Sequence, residues 1–229
     1  MSEFVIPSTP QATVAVAGTD ARFPVRRIFC VGRNYVAHVR EMGNDERDPP
    51  FFFTKPADAL VDSGTVMPFP VATDDLHHEA ELVVAIHKGG ANISVDDALD
   101  HVWGYAAGVD LTRRDLQAAA KKAARPWDMS KGFDQSAPCG PLHPASEVGH
   151  LSQGHIRLNV NGEVRQDGDL NEMIWNVPET VSYLSGLLTL APGDLIYTGT
   201  PAGVSALTPG DTCTVEIAGL TPLVFTISK

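Results

Sequence analysis

The stretch that decides how this chain is read is His77-His78-Glu79-Ala80-Glu81-Leu82-Val83-Val84-Ala85-Ile86, where a polar, carboxylate-rich opening runs into an apolar, β-branched segment. Such a run reads as a strand. Successive strand side chains alternate faces, so Glu79 and Glu81 share a face with Cα atoms roughly 6.5 Å apart. Two carboxylates this close repel. A bound divalent ion, a basic partner or plain solvation on an exposed face would each relieve the repulsion, and spacing alone leaves all three open.

Working outward, 229 residues with 43% hydrophobic content are enough to bury one sizeable core. The 20 glycines and 17 prolines are spread along the chain, which favours many short strands over long helices. A formal net charge of −11, with no Lys/Arg block, argues against a nucleic-acid surface and for a small-molecule partner. Cys30, Cys139 and Cys213 lie far apart with no C-x-x-C spacing, which fits a reducing compartment. The first ten residues lack a signal-peptide pattern, and no apolar run approaches the ~18 residues of a membrane span. A cytoplasmic protein is expected.

Residues 1–24 read as an N-terminal arm with short edge strands, and residues 25–229 as the main domain. Ile28-Phe29-Cys30-Val31 is a buried-strand run, and Val36–Met42 has short-helix character, with His38 and Glu41 at i and i+3 on one face. They could form a dyad in which the carboxylate holds the imidazole, or a solvated surface pair. Asn44–Pro50 reads as a loop and a candidate lid. Phe51–Lys55 is a strand ending in a lysine before a proline. Ser94–Val102 is expected to be a short helix and Trp103–Leu111 a strand ending on Asp110. Thr112-Arg113-Arg114-Asp115 resembles a capping box opening a helix from Leu116 to about Ala124, and Arg125–Asp134 reads as a loop. Asn161-Gly162 marks a hairpin over 156–166. Val177–Leu188 is an amphipathic helix. The glycine-rich turn after Asp194–Tyr197 offers backbone N–H groups to a carboxylate, and two segments, Asp211–Ile217 and Leu223–Ile227, close the sheet.

Glu79, Glu81 and Asp110 form an all-oxygen set that suits a hard ion such as Mg²⁺, with Mn²⁺ or Ca²⁺ also possible. His77 and His78 have no partner at zinc-site spacing. The residues 30–35 (Cys-Val-Gly-Arg-Asn-Tyr), His38 to Glu41, His77 to Leu82, Gly108 to Asp115, Pro126-Trp127 through Lys131-Gly132-Phe133, Asn161-Gly162, Gly193-Asp194 and Tyr197-Thr198-Gly199-Thr200-Pro201 together resemble the fumarylacetoacetate hydrolase family, from about residue 25 to the C-terminus. The resemblance implies an α+β fold, a β-rich mixed-sheet roll with a few short helices, usually a homodimer. It implies Mg²⁺ or Mn²⁺ on Glu79, Glu81 and Asp110, His38 and Glu41 as the water-activating dyad, and Lys131 as an active-site cation. It also places Arg33, Lys55, Arg114, Gln117 and Thr200 towards the substrate.

The implied activity is cleavage of the C3–C4 bond of an acylpyruvate, a 2,4-dioxo acid, in which a metal bound to the 2-oxo acid group and Lys131 would stabilise the departing enolate. Asn44–Asp58 and Ser136–Cys139 most resemble the short bacterial members that cleave fumarylpyruvate in gentisate breakdown. That substrate's second carboxylate would need a cation, for which Arg40, Arg47 and Arg125 are the candidates. Two rivals stand beside this reading. The same metal site could decarboxylate oxaloacetate, or carry the decarboxylase/isomerase step of homoprotocatechuate breakdown. A non-catalytic metal-binding domain is the second rival.

Overall fold

The computed structural model describes residues 4–35 and 48–229. His38, Glu41, Arg40, Arg47 and most of the expected lid therefore lie outside the described residues. Two strands, β1 (Thr13–Ala15) and β2 (Arg22–Pro24), open the chain, followed by β3 (Arg27–Gly32), β4 (Phe51–Lys55), β5 (Leu60–Asp62) and β6 (Val66–Met67). Next come β7 (Leu76–His77), β8 (Ala80–Ile86), β9 (Val102–Val109), β10 (Thr112–Arg113) and two helices, α1 (Arg114–Lys122) and α2 (Asp128–Lys131). Beyond them run β11 (Ala137–Cys139), β12 (His143–Pro144), α3 (Ala145–Val148), β13 (His155–Val160) and β14 (Glu163–Asp169). The chain finishes with α4 (Val177–Leu187), β15 (Asp194–Tyr197), β16 (Ala206–Leu207), β17 (Thr212–Ile217) and β18 (Leu223–Ile227).

A mixed sheet ordered β4-β3-β15-β8-β9-β11-β5, with β12 alongside β9, forms the centre. A second sheet, β14-β13-β17-β18-β6, packs against it, and a small sheet, β10-β7-β16, stands at its end. Asp211–Ile217 and Leu223–Ile227 thus form inner strands of this second sheet rather than closing the one that carries Glu81.

Every residue of β8 is buried. Leu82, Val84 and Ile86 join the larger core with the inner faces of β13, β17 and β18, whereas Val83 and Ala85 join a smaller core with Ile28, Leu195 and Tyr197. Both faces are covered, which explains why the segment reads as an unbroken apolar run instead of an alternation. Val14, Phe23 and Val25 from the N-terminal segment complete the smaller core. That segment is thus packed in, with its backbone tied at Ala17 N–H to Leu142 O.

The expected hairpin turns at Asn161 and Gly162, both at positive φ (53° and 83°), as a type I′ turn requires. Helix α4 is opened by Asn176, whose side chain accepts from Glu179 N–H while Glu179 returns a bond to Asn176 N–H. Four expectations are corrected. The strand expected to run on from His77 is broken at His78-Glu79, where the chain passes from the small sheet to the central one. Ser94–Val102 gives only the 3₁₀ turn Ala98–His101: Ser94 Oγ does accept from Asp97 N–H as a cap would, but the turn it opens is not continued as an α-helix. Residues 125–134 contain α2. No capping box opens α1: the Thr112 hydroxyl bonds Asp110 O, and Asp115 fastens Thr73 and Asp74 N–H.

Gly104 on β9 faces Pro144 on β12, and a Cβ there would sit 2.1 Å from His143 O. The opposing atom is backbone and cannot swing away. Gly104→Ala is expected to cost about 2 kcal/mol, read as a fall in Tm of roughly 4–8 °C; an unchanged Tm would contradict this packing.

Candidate active site

The β8/β9 ladder pairs Ala80 with Val109 and Glu81 with Gly108, and it continues past the strand ends as Asp110 N–H donates to Glu79 O at 2.9 Å. Backbone pairing therefore sets Asp110 beside the two glutamates. Ligand atoms of Glu79, Glu81 and Asp110 all lie within 4.8 Å of one another, and all three residues are buried. The repulsion inferred from spacing is thus real and heightened by low dielectric.

Cations answer it in part. Lys131, at the end of α2, donates from Nζ to Glu79 Oε2 (2.8 Å), Asp110 Oδ2 (2.5 Å) and Thr112 Oγ1 (2.6 Å). Arg114 donates to Glu79 Oε1 at 2.6 Å and to Gln117 Oε1 at 2.7 Å. Burial alone would raise the Glu79 carboxyl, but Lys131 and Arg114 outweigh it and hold Glu79 below the usual carboxylate range. For Lys131, burial is likewise outweighed by Asp110 and Glu79, which favour its charged form. Glu81 is different: burial, followed by the charges of Asp110 and Glu79, pushes its carboxyl well above the usual range. It accepts a backbone N–H from Gly199, 2.7 Å from Oε2, which offsets this only in part. The glycine-rich turn does bind a carboxylate, and that carboxylate belongs to Glu81.

Lys55 stands behind the acids rather than in the cleft. Its ammonium meets Asp110 Oδ1 at 2.8 Å, Leu111 O at 3.1 Å and Lys131 O, so it fixes Asp110 and the end of α2. The narrow cleft above the acids is lined by Arg33, Arg114, Gln117 and Thr200, together with Lys121 and Trp127. Arg33 adopts a left-handed backbone (φ 61°), a strained conformation of the kind that collects at functional sites. Lys121 and Trp127 were given no role from sequence. For Lys121 the signal was present, because Arg114, Gln117 and Lys121 are spaced i, i+3, i+7 on one helical face.

Gln166, fully buried on β14, was also missed. Ala80 N–H donates to Gln166 Oε1 at 3.0 Å, which fixes the amide orientation. Oε1 can only accept, so the His78 Nδ1 facing it at 2.9 Å carries the proton and Nε2 accepts from Ser205 Oγ. Burial lowers the His78 pKa to about 4, keeping the ring neutral near pH 7. Both ring nitrogens of His78 are used, which leaves that ring none for zinc; His77 is bonded to Asp75 through Nε2, and the metal-capable cluster found among the described residues is Glu79, Glu81 and Asp110, without either histidine. Gln166 Nε2 meanwhile donates to Thr200 Oγ1 (2.7 Å) and Pro201 O (2.9 Å). Thr200 consequently keeps its own hydroxyl proton for a ligand in the cleft.

With this geometry in view, a family model, fumarylacetoacetate (FAA) hydrolase C-terminal, matches residues 27–228. The chain belongs to the fumarylacetoacetate hydrolase family. The crystal structure of fumarylpyruvate hydrolase from Pseudomonas aeruginosa in complex with Mn²⁺ and pyruvate superposes with a TM-score of 0.96 at 50% identity, covering 99% of each chain. A fumarylpyruvate hydrolase from Ralstonia sp is 43% identical over 177 residues, 77% of this chain and 92% of that one. The mitochondrial oxaloacetate decarboxylase of Dictyostelium discoideum is 40% identical over 196 residues, 85% of this chain and 90% of that one. The mixed-sheet roll with short helices expected from sequence is the fold these family members share.

The donor chemistry here fits a hard divalent ion. Three buried carboxylates supply oxygens only, and Glu81 resists ionisation until more positive charge arrives. Glu81→Gln is therefore expected to leave metal-free Tm equal or higher while removing most of the Tm increase given by Mn²⁺, which binding linkage puts at ~2.7 kcal/mol for wild type at 100 times Kd. A full increase in the variant would contradict the three-acid site. Gln166→Leu strands Ala80 N–H, His78 and Pro201 O, and is expected to cost on the order of 3 kcal/mol in denaturant unfolding; a neutral result would show the network to be dispensable.

Proposed function

We propose that this protein is a metal-dependent hydrolase of acylpyruvates, with fumarylpyruvate cleaved to fumarate and pyruvate as its main reaction. The observation that carries this reading is the buried cluster of Glu79, Glu81 and Asp110 under a cleft lined by Arg33, Arg114, Lys121 and Lys131. Such a cleft suits a small anionic 2-oxo acid. The 50% identity to an enzyme crystallised with Mn²⁺ and pyruvate supports it.

Glu79, Glu81 and Asp110 would hold Mg²⁺ or Mn²⁺, which when bound supplies Lewis-acid stabilisation to the enolate charge of a 2-oxo acid. Lys131, kept protonated by Asp110 and Glu79, adds positive potential at the same place. Arg114, braced by Glu79 and Gln117, and the Thr200 hydroxyl, oriented by Gln166, bind and align the substrate's carboxylate and oxo groups. Lys55 and the Gly199 N–H hold Asp110 and Glu81 in place. His38, oriented by Glu41, takes the proton of the attacking water and returns it to the enolate carbon. The catalytic domain spans residues 25–229, in keeping with the family match over 27–228, and residues 1–24 are assigned to an N-terminal arm whose Val14 and Phe23 pack into the smaller core. A cytoplasmic homodimer acting in aromatic catabolism completes the reading, and light scattering tests its dimeric part.

Oxaloacetate decarboxylation on the same site is the second reading, favoured by the 40% identical relative of that name. A panel of fumarylpyruvate, acetylpyruvate and oxaloacetate with Mg²⁺ or Mn²⁺, before and after chelation, separates the two. Acylpyruvate cleavage that vanishes on chelation and returns with metal is expected, with His38→Ala lowering kcat at least ~100-fold while Mn²⁺ binding persists. Turnover of oxaloacetate alone, or unchanged turnover in His38→Ala, would contradict the proposal.

A further inference from the structure

We infer that Lys121 receives the terminal carboxylate of the substrate's acyl arm, and so selects 2,4-dioxo acids that end in a second carboxylate. The inference rests on the acylpyruvate reading above and deepens it. Helix α1 presents Arg114, Gln117 and Lys121 to the cleft from one face. Their tasks differ. Arg114 is paired with Glu79, Lys131 with Glu79 and Asp110, and Lys55 with Asp110, all at the acidic end of the cleft. Lys121 has no carboxylate partner among the described residues, and its contact is the face of the Trp127 ring, 5.0 Å from Nζ.

The surroundings call for an anion at that point. Lys121 stands at the exposed rim of the cleft; partial burial of its ammonium, then the charges of Arg33 and Arg114, disfavour its charged form, and Glu79 opposes them only in part. A carboxylate beside Nζ would relieve this crowding of cations. Scale agrees as well: seven residues of helix separate Arg114, which marks the acidic end of the cleft, from Lys121, a rise of about 10 Å. That is comparable with an extended seven-carbon dicarboxylate. Trp127 and Phe53 line the same cleft, offering flat walls to a planar conjugated arm. Arg125, a candidate for this task from sequence, lines a neighbouring depression with Phe52 and Asp128 instead.

The test compares kcat and KM for fumarylpyruvate and acetylpyruvate in the Mn²⁺-loaded wild type, Lys121→Met and Lys121→Arg. Lys121→Met is expected to lower the ratio of kcat/KM for fumarylpyruvate over acetylpyruvate by about tenfold or more, the loss of one charge-assisted bond. The change should fall mainly on KM for fumarylpyruvate, and Lys121→Arg should restore much of the ratio. An active wild type whose ratio is unaltered in Lys121→Met would overturn the role of Lys121 and leave the acylpyruvate reading standing. A wild type inert to both substrates would overturn that reading and this inference with it.

Discussion

The structure depends on how three buried carboxylates are kept together. Glu79, Glu81 and Asp110 are brought within 4.8 Å by strand pairing, and isolated burial of such a set would cost several kcal/mol per ion. Lys131 offsets part of it by touching two of the acids at once, with Thr112 accepting from its third N–H, and Arg114 and Lys55 add to it at Glu79 and Asp110. Everything nearby serves that arrangement. Helix α2 is four residues long and places one side chain, and Lys55 anchors the backbone of Lys131 while pairing with Asp110. Glu81 is left under-compensated, and that electrostatic deficit is what the proposed divalent ion would answer.

The site is assembled from all three principal sheets. Glu81 lies on the central sheet, His77 and Thr112 on the small one, and Gln166 comes from the second large sheet to tie His78 to Thr200. The break in the strand at His78-Glu79 lets one chain join two sheets at this junction. Catalytic geometry is therefore bound to global folding: loss of packing between the large sheets would release Gln166, then the 199–201 turn, then Glu81. A site built on interlocked strands holds its acids more rigidly than one built on loops.

Much of this was legible from residues alone. The apolar run after Glu81, the Asn161-Gly162 turn and the Val177-Pro178 helix start all follow local rules, and strand periodicity already put Glu79 and Glu81 on one side. The pairing of Asp110 with them was inferred from a strand ending on an acid with no cap to serve. Sequence failed where tertiary competition reassigned a polar group. Thr112 seemed a helix cap, but Lys131 and Asp110 claim its hydroxyl; Lys55 seemed to face substrate, but Asp110 draws it inward. Gln166 carried no local signal, because its value comes from four partners distant in sequence. Lys121 shares a helical face with Arg114 and Gln117 by spacing alone, but spacing does not show which face a cleft covers.

The central claim is that the three acids hold an ion whose remaining coordination positions belong to a 2-oxo acid. It is tested most directly by water-proton relaxation of the Mn²⁺-loaded protein during titration with pyruvate. Displacement of water by pyruvate should lower the relaxivity of bound Mn²⁺ in a saturable way, with metal retained on the protein. Relaxivity that stays constant while pyruvate binds would mean that the ligand sits away from the ion, and would contradict the account.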